Sequence, residues 1–143
     1  MPTYDQQPNL TAIPCPQDYH YEFFTADYTT PMYRSGSVGA QQAAEDDARL
    51  MSNTMVAEIA RMVDQYLKAA KCKGNCTRSL IYISNPQTVG PYVKRIPNRR
   101  HEWETEGFTA SVHVTEYLII GCHKPGAPPV KLKRPKKGTI VVD

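Results

Sequence analysis

Between positions 40 and 71, apolar residues recur at three- and four-residue spacing, and this period predicts one long amphipathic helix. The apolar stripe consists of Ala44, Ala48, Met51, Met55, Ile59, Met62, Val63, Tyr66, Leu67 and Ala70. Gly74-Asn75 follows it as a left-handed stop. An unbroken helix over this range would be roughly 48 Å long, at about 1.5 Å per residue. That is long for a small chain, so we expect a break or bend at Ser52-Asn53-Thr54, or a first half that packs on a neighbouring molecule.

A strand rich in aromatic residues is predicted ahead of the helix, over residues 19–28. Its two-residue period places Tyr19, Tyr21 and Phe23 on one face. The chain has nine tyrosines, and most of them precede the helix. Tyrosine and proline give contact area at a low cost in entropy, so the tyrosines ahead of the helix suit a contact surface. Half-buried tyrosines of an ordinary strand would give the same pattern.

Further strands are predicted after the helix, at 78–84, at 92–96 and, most clearly, at 108–121. In the last of these, apolar and polar residues alternate until Glu116 interrupts the apolar face. An unpaired buried carboxylate is costly. We therefore expect a β-bulge at 115–117 that resets the alternation, in preference to a buried and paired Glu116.

These elements predict an α+β fold, with one long helix packed on a small antiparallel sheet of three or four strands. Prolines cluster at the two ends of the chain, at positions 2, 8, 14 and 16 and at positions 125, 128, 129 and 135. Proline fixes φ and lacks a backbone donor, so both ends are predicted to be extended arms. We therefore divide the chain into an N-terminal arm (1–18), an α+β core domain (19–122) and a basic, proline-rich C-terminal arm with a short β tail (123–143).

Four cysteines lie where predicted elements meet loops: Cys15, Cys72, Cys76 and Cys122. Such positions suit crosslinks that brace a small fold. Four cysteines can form two disulfides in three pairings. We favour Cys72–Cys76, across the flexible Gly74 turn, together with Cys15–Cys122. In the chain-entropy model the second bond would stabilise the fold by roughly 4–5 kcal/mol, because it closes a loop of about a hundred residues.

Two other states of the cysteines stay open at this point. Cys15, Cys72 and Cys76 could bind zinc together with Cys122 or His123. Alternatively, all four could be reduced thiols with no joint role, as is common in a reducing compartment. The spacing is not diagnostic of either, and we predict neither a metal nor a cofactor.

The histidines and the motif content argue against an enzyme. His113 is predicted to lie on the face opposite Val112, and Glu116 and Glu102 are its candidate partners. A nucleophile–base pair of Cys122 and His113 is excluded, since nine residues along one strand span about 30 Å. The chain contains no nucleophile elbow, HExxH motif, phosphate-binding loop or dinucleotide fingerprint. We expect that the protein is not an enzyme.

Basic residues are concentrated near the C-terminus, where Lys131, Lys133, Arg134, Lys136 and Lys137 have no acidic residue among them. Such a segment attracts phosphates through counterion release, and Lys94, Arg95, Arg99 and Arg100 form a second basic group. The formal net charge is only +3, and no nucleic-acid-binding module is recognisable. A solvated tether would account for the basic segment equally well.

The sequence therefore predicts a structural or interaction protein, a subunit of a larger homo-oligomeric assembly such as a phage or virion component or a surface filament. The terminal arms would bind neighbouring subunits, and disulfides would form after release from the cell. The alternative is a small intracellular nucleic-acid-binding protein with a basic C-terminal arm, which zinc could brace. The chain shows no apolar run of membrane-spanning length and no signal-peptide pattern, so we expect cytoplasmic synthesis, followed either by a virion or extracellular location after release or by a cytoplasmic one.

Overall fold

The longest strand, β6 (Thr105–His123), organises the computed structural model of the protein. The structure describes residues 1–5, 12–36 and 38–126. Along one edge, β6 pairs antiparallel with β2 (Gln17–Thr29) and then with the two-residue strand β3 (Tyr33–Arg34). These two strands lie in line, because β3 continues along β6 in the direction that β2 began.

The other edge of β6 is occupied in the same way by two further strands in line. Strand β4 (Thr77–Ile83) pairs with the end of β6, and β5 (Gln87–Pro97) pairs with its beginning, both antiparallel. A short strand, β1 (Thr3–Asp5), adds antiparallel to the free edge of β2. The result is a long, six-stranded sheet that curls into a half-barrel.

The expected small sheet beneath a long helix is therefore wrong, although helix and sheet are both present. Strands make up 48% of the described residues and the helix 25%, so the sheet is the body of the molecule. The sequence pattern underestimated β5, because the stretch 85–91 has the prolines and glycine of a turn. In the structure a bulge between Val89 and Tyr92 takes up the irregular residues, and the strand continues.

One uninterrupted helix, α1 (Ala40–Ala69), lies across one face of the sheet, which we call the covered face. The expected break at 52–54 does not occur. The Ser52 hydroxyl donates to the carbonyl oxygen of Arg49 at 2.6 Å, so this polar residue is satisfied inside the helix. Two tyrosines anchor the N-terminal half, since the hydroxyls of Tyr28 and Tyr33 donate to the Asp47 carboxylate at 2.9 and 2.6 Å.

The core lies between α1 and the covered face. It is formed by apolar residues of the helix, of β2 and of β6, with Ile13 added from the N-terminal segment; fully buried members include Phe24, Ala26, Met55, Ile59, Tyr66, Val114, Leu118 and Ile120. Glu116 is only 5% exposed and lies on this face, opposite Phe24 in the register. The pairing of β2 with β6 runs without a shift from His20 to Thr29, so the expected bulge at 115–117 is wrong. The partner strands β4 and β5 carry the irregularities instead.

The described parts of the N-terminal segment pack against the domain, which differs from an arm that reaches outward. Residues 3–5 form β1, and Ile13 is 1% exposed. The backbone of Ile13 exchanges two hydrogen bonds with the segment after the helix, from Ile13 N to Lys71 O at 2.9 Å and from Lys73 N to Ile13 O at 2.8 Å. The predicted C-terminal arm lies outside the described residues from position 127 onward.

Candidate binding face

Two disulfides close one end of the fold, as predicted, but their pairing differs from the favoured one. Cys15 bonds to Cys76 with Cα atoms 6.5 Å apart, and Cys72 bonds to Cys122 with Cα atoms 5.8 Å apart. The bridge between Ile13 and Cys72 explains this pairing, because it places the N-terminal segment beside the helix exit. The observed pairing joins Cys72, at the helix exit, to Cys122, which is fully buried at the end of β6.

The two disulfides are incompatible with zinc binding or nucleophilic attack by these cysteines. All four sulfur atoms are bonded, so none is a thiolate ligand for zinc or a nucleophile. Within the ranges that the structure describes, no group of three or more histidine, cysteine, aspartate or glutamate side chains is placed to hold a metal ion. The four cysteines crosslink the N-terminal segment, the helix exit and the end of β6.

The face of the sheet opposite α1, which we call the bare face, carries a row of stacked aromatic rings. We define the aromatic row as Tyr21, Phe23, Tyr117 and Tyr82. It crosses three strands, with ring centroids 6.4 Å apart from Tyr21 to Phe23, 5.6 Å from Phe23 to Tyr117, and 5.6 Å from Tyr117 to Tyr82. Phe23 is 43% exposed.

Along β2 and β6, the cross-strand neighbours of the aromatic row are uncharged. Thr25 pairs with Thr115 on one side of it, and Ile119, which pairs with Tyr21, is buried. Partial burial, and then the neighbouring Tyr82, raise the pKa of Tyr117, so its phenol is neutral at physiological pH. The row is therefore a preformed apolar contact surface with hydroxyl groups at its edges.

Farther along the bare face, polar side chains line a depression of about 240 Å³. We define this polar hollow by the outward side chains of Asp27, Thr29, Val89, Tyr92, Ser111 and His113. The Nδ1 atom of His113 lies 2.7 Å from Oδ1 of Asp27, its cross-strand partner. The next outward pair joins the hydroxyls of Thr29 and Ser111 at 3.0 Å. Tyr92 stands beside them with 65% of its surface exposed.

Sequence reasoning placed His113 on the outer face but missed its partner. Neither Glu116 nor Glu102 pairs with it, because Glu116 points to the covered face and Asp27 sits directly opposite in the register. The two residues are 86 positions apart, and only the register of β2 on β6 brings them together. The alternation of β2 was the one signal in the sequence that put Asp27 on the outward side.

A second polar group lies on the covered face, near the end of the helix. His20 Nε2 is 2.8 Å from Glu22 Oε1, and Glu22 is buried. Burial raises the pKa of Tyr66, and the negative charge of Glu22 raises it further. Burial also raises the pKa of Glu116. Because α1 covers this face, these groups belong to the core and are closed to a ligand.

The basic residues predicted for nucleic acid fall into two parts. Lys131, Lys133, Arg134, Lys136 and Lys137 lie outside the described residues. Arg99 and Arg100 are exposed in the loop between β5 and β6, beside Trp103, which is 78% exposed.

This loop is held by its own hydrogen bonds. The Asn98 side chain accepts from the backbone N–H of Arg100 at 2.9 Å, and Arg95 donates to the carbonyl oxygen of Glu104 at 3.2 Å. The rings of His101 and Trp103 lie 4.9 Å apart. The loop backbone is therefore held in place, and it presents the exposed indole of Trp103 near the exposed Arg99 and Arg100.

Comparison with known proteins finds no matching family model, no matching curated protein and no matching solved structure. In the part of the chain that the structure describes, no helix is long and apolar enough to cross a membrane. The bare face, with its aromatic row and polar hollow, is therefore the candidate functional surface of the described residues.

Proposed function

We propose that this chain is a structural or interaction protein, a disulfide-braced subunit that associates with copies of itself through the aromatic row. The observation that carries the proposal is the row itself, a stacked and partly exposed set of aromatic rings on the sheet face opposite α1, which no helix covers among the described residues. Aromatic residues with few charges around them are typical of the centres of protein interfaces.

The row is suited to self-association because it is already ordered. Its rings stack on one another in the monomer, so little side-chain entropy is lost when a partner covers them. Two copies related by a two-fold axis would place the same patch on each other, which is the commonest symmetry of homo-oligomers. Two sheet faces packed in this way lie about 10 Å apart and interdigitate their side chains.

The disulfides support an assembly that works in an oxidising environment. Disulfides persist outside the reducing cytosol, so the pair at this end of the fold favours a surface filament, or a phage or virion particle after release. Further contacts between subunits are assigned in this proposal to residues 124–143.

The test is the oligomeric mass of the purified, oxidised protein, measured by size-exclusion chromatography with light scattering. We expect an oligomer for the wild type and a monomer for Phe23→Ser and Tyr117→Ser, each with an unchanged circular dichroism spectrum. Trp103→Ser is the matched control, since it removes an exposed aromatic residue elsewhere and should keep the oligomer. Deletion of residues 124–143 should reduce the oligomer size. A monomeric wild type at high concentration would refute the proposal.

A second candidate function is nucleic-acid binding, favoured by the rigid loop that presents Trp103 with Arg99 and Arg100. An exposed aromatic ring beside arginines can stack on a base while the charges contact phosphates. This candidate predicts salt-dependent binding of single-stranded oligonucleotides that is weakened by Trp103→Ala, and by alanine at Lys133, Arg134, Lys136 and Lys137. Fluorescence anisotropy at low salt measures this, and no binding there would exclude the candidate.

A further inference from the structure

We infer that the polar hollow is a binding site for a neutral sugar ring, such as the terminal residue of a glycan. The hollow combines an exposed aromatic ring, a carboxylate held by an imidazole, and a pair of hydroxyls in one depression of about 240 Å³. The proposal concerns a ligand site beyond the proposed self-association and rests on separate residues.

A bulge in β5 builds the apolar wall of the hollow. Val89 pairs with His113 and Tyr92 pairs with Ser111, so one extra residue of β5 lies between these two pairs. Residues three apart in a regular strand point to opposite faces, whereas here both Val89 and Tyr92 line the bare face. Bulges often re-aim side chains in this way beside functional sites.

Glycine at position 90 allows the two strands to stay close at this bulge. Its φ is +100°, and a Cβ atom there would lie 2.7 Å from the carbonyl oxygen of Ser111. Both the backbone conformation and the close approach therefore require glycine. The strand remains paired, and its irregularity serves to present Tyr92 beside the polar groups.

The polar groups of the hollow match the hydroxyls of a sugar. Oδ1 of Asp27 is engaged by His113, which leaves Oδ2 as an acceptor for a ligand hydroxyl. The His113 ring also has a second nitrogen, Nε2, and the hydroxyls of Thr29 and Ser111 can each donate or accept. Such a mixed set of donors and acceptors suits a ligand whose hydroxyls do both.

The charge of the hollow disfavours small anionic ligands. The negative charge of Asp27 disfavours phosphates and carboxylates, since the described residues of the hollow include no lysine or arginine. A purely apolar ligand would bury Oδ2 of Asp27 and Nε2 of His113 without hydrogen-bond partners, at a cost in free energy. A pyranose ring can place its C–H face on Tyr92 and its hydroxyls toward the polar groups.

The hollow and the aromatic row lie apart on the bare face. Their nearest members on β6, His113 and Tyr117, are four residues apart, which corresponds to about 13 Å. A variant of one region therefore leaves the other in place, and sugar binding and self-association can be measured separately.

The experiment titrates the oxidised, full-length protein with the methyl glycosides of glucose, galactose and mannose, and follows its ¹H–¹³C aromatic and ¹H–¹⁵N amide signals by NMR. We expect at least one glycoside to shift the signals of Tyr92 and His113 in a saturable manner. Tyr92→Ala should weaken that binding about tenfold or more, and Ser111→Ala should weaken it less. Tyr92→Phe keeps the ring and should retain binding, which guards against a variant that fails to fold.

Trp103→Ala is the matched control, because it removes an exposed aromatic residue outside the hollow and should leave the titration unchanged. Inorganic phosphate is titrated in parallel and should cause no saturable shift of His113. The inference is overturned if none of the glycosides shifts these signals, if phosphate does so in their place, or if Tyr92→Ala binds as well as the wild type.

Discussion

The two faces of this sheet are built by the same strands, yet their side chains differ in almost every respect. Phe24 and Phe23 show the contrast most directly, since they are neighbours in β2 and point to opposite faces. Phe24 is fully buried under α1 and meets the Tyr66 ring at 5.7 Å, whereas Phe23 is 43% exposed and stacks only on other residues of the aromatic row. The covered face contains the core, and we propose that the bare face makes the contacts with other molecules.

The covered face also contains carboxyl groups, although the burial of a carboxyl group costs free energy. Glu116 and Glu22 are buried among apolar residues, whereas the bare face carries hydroxyls, aromatic rings and the exposed Asp27–His113 pair. The contrast teaches that aromatic content does not mark the core of this molecule, because its stacked aromatic row lies on the side away from the helix. We therefore expect substitutions on the two faces to change the free energy of unfolding by very different amounts.

We expect the largest change in the free energy of unfolding from removal of the disulfides, which connect the N-terminal segment and the helix exit to the sheet. Replacement of Cys72 and Cys122 by serine should lower the free energy of unfolding by about 4 kcal/mol, since the bond closes a loop of 50 residues. The Cys15 and Cys76 double variant should lose a similar amount through its loop of 61 residues.

These two variants also compare a buried site with a partly exposed one. Cys122 is fully buried, so its replacement by serine adds the cost of burying a hydroxyl. Chemical denaturation of both variants without reductant measures the difference. A Cys72/Cys122 variant as stable as the wild type would contradict the pairing described above.

The next largest change in stability is expected for Phe24→Ala, and Phe23→Ala on the opposite face is its comparison. Phe24→Ala should lower the free energy of unfolding by about 3 kcal/mol or more, because it opens a cavity beneath the helix. Phe23→Ala should cost less than about 1 kcal/mol, because its side chain is partly solvated already. Urea denaturation followed by circular dichroism gives both values. Equal losses would mean that the bare face contributes to the fold as much as the covered one.

A smaller effect is expected at the N-terminal half of the helix, where Asp47 accepts hydrogen bonds from Tyr28 and Tyr33. Asp47→Ala should cost about 2 kcal/mol, because two phenols lose a charged acceptor and one of them is buried. Asp46→Ala is the control, as its exposed side chain contacts only Gln42 and Arg49 and should cost less than about 0.5 kcal/mol. Thermal unfolding of the two variants tests whether the Asp47 contacts hold the helix on the sheet.

The smallest expected change is an increase in the free energy of unfolding when Glu116 is replaced by glutamine. Burial raises its pKa in the folded state, so its contribution to stability is fully present below the unfolded value near 4.5 and is lost as the pH rises through the folded value. Glu116→Gln should therefore raise the free energy of unfolding by about 1 kcal/mol at pH 7 and leave it nearly unchanged at pH 4. The exposed Glu102→Gln serves as the control. A loss of stability at pH 7 would show that the charged form of Glu116 is stabilised in the core.

Local sequence patterns predicted the helix and strands of this fold much better than they predicted which strands pair with each other. The position of the helix and the shared face of Tyr21 and Phe23 followed from periods of 3.6 and 2, which depend only on neighbouring residues. The extent of β5 was missed, because a bulge at Gly90 looks like a turn in sequence. The size of the sheet was missed for the same reason, since β4 and β5 together line one edge of β6.

The candidate sites depended on contacts between distant parts of the chain. Cys15 and Cys76 are 61 residues apart, and Asp27 and His113 are 86 apart, so composition and spacing could identify the residues but not pair them. The position of Glu116 was misjudged because the cost of a buried carboxylate was weighed without the uninterrupted register of β2 on β6. That register buries it under the helix, and the protein accepts the cost.

Native mass spectrometry of the protein purified from its natural source without reductant tests the central claim most directly. The account predicts a homo-oligomer whose subunits are each about 4 Da lighter than the reduced chain, because two disulfides remove four hydrogens. The oligomer should dissociate for Phe23→Ser and persist for Trp103→Ser. A monomer of reduced mass would contradict both the disulfide-braced fold and the role of the bare face in assembly.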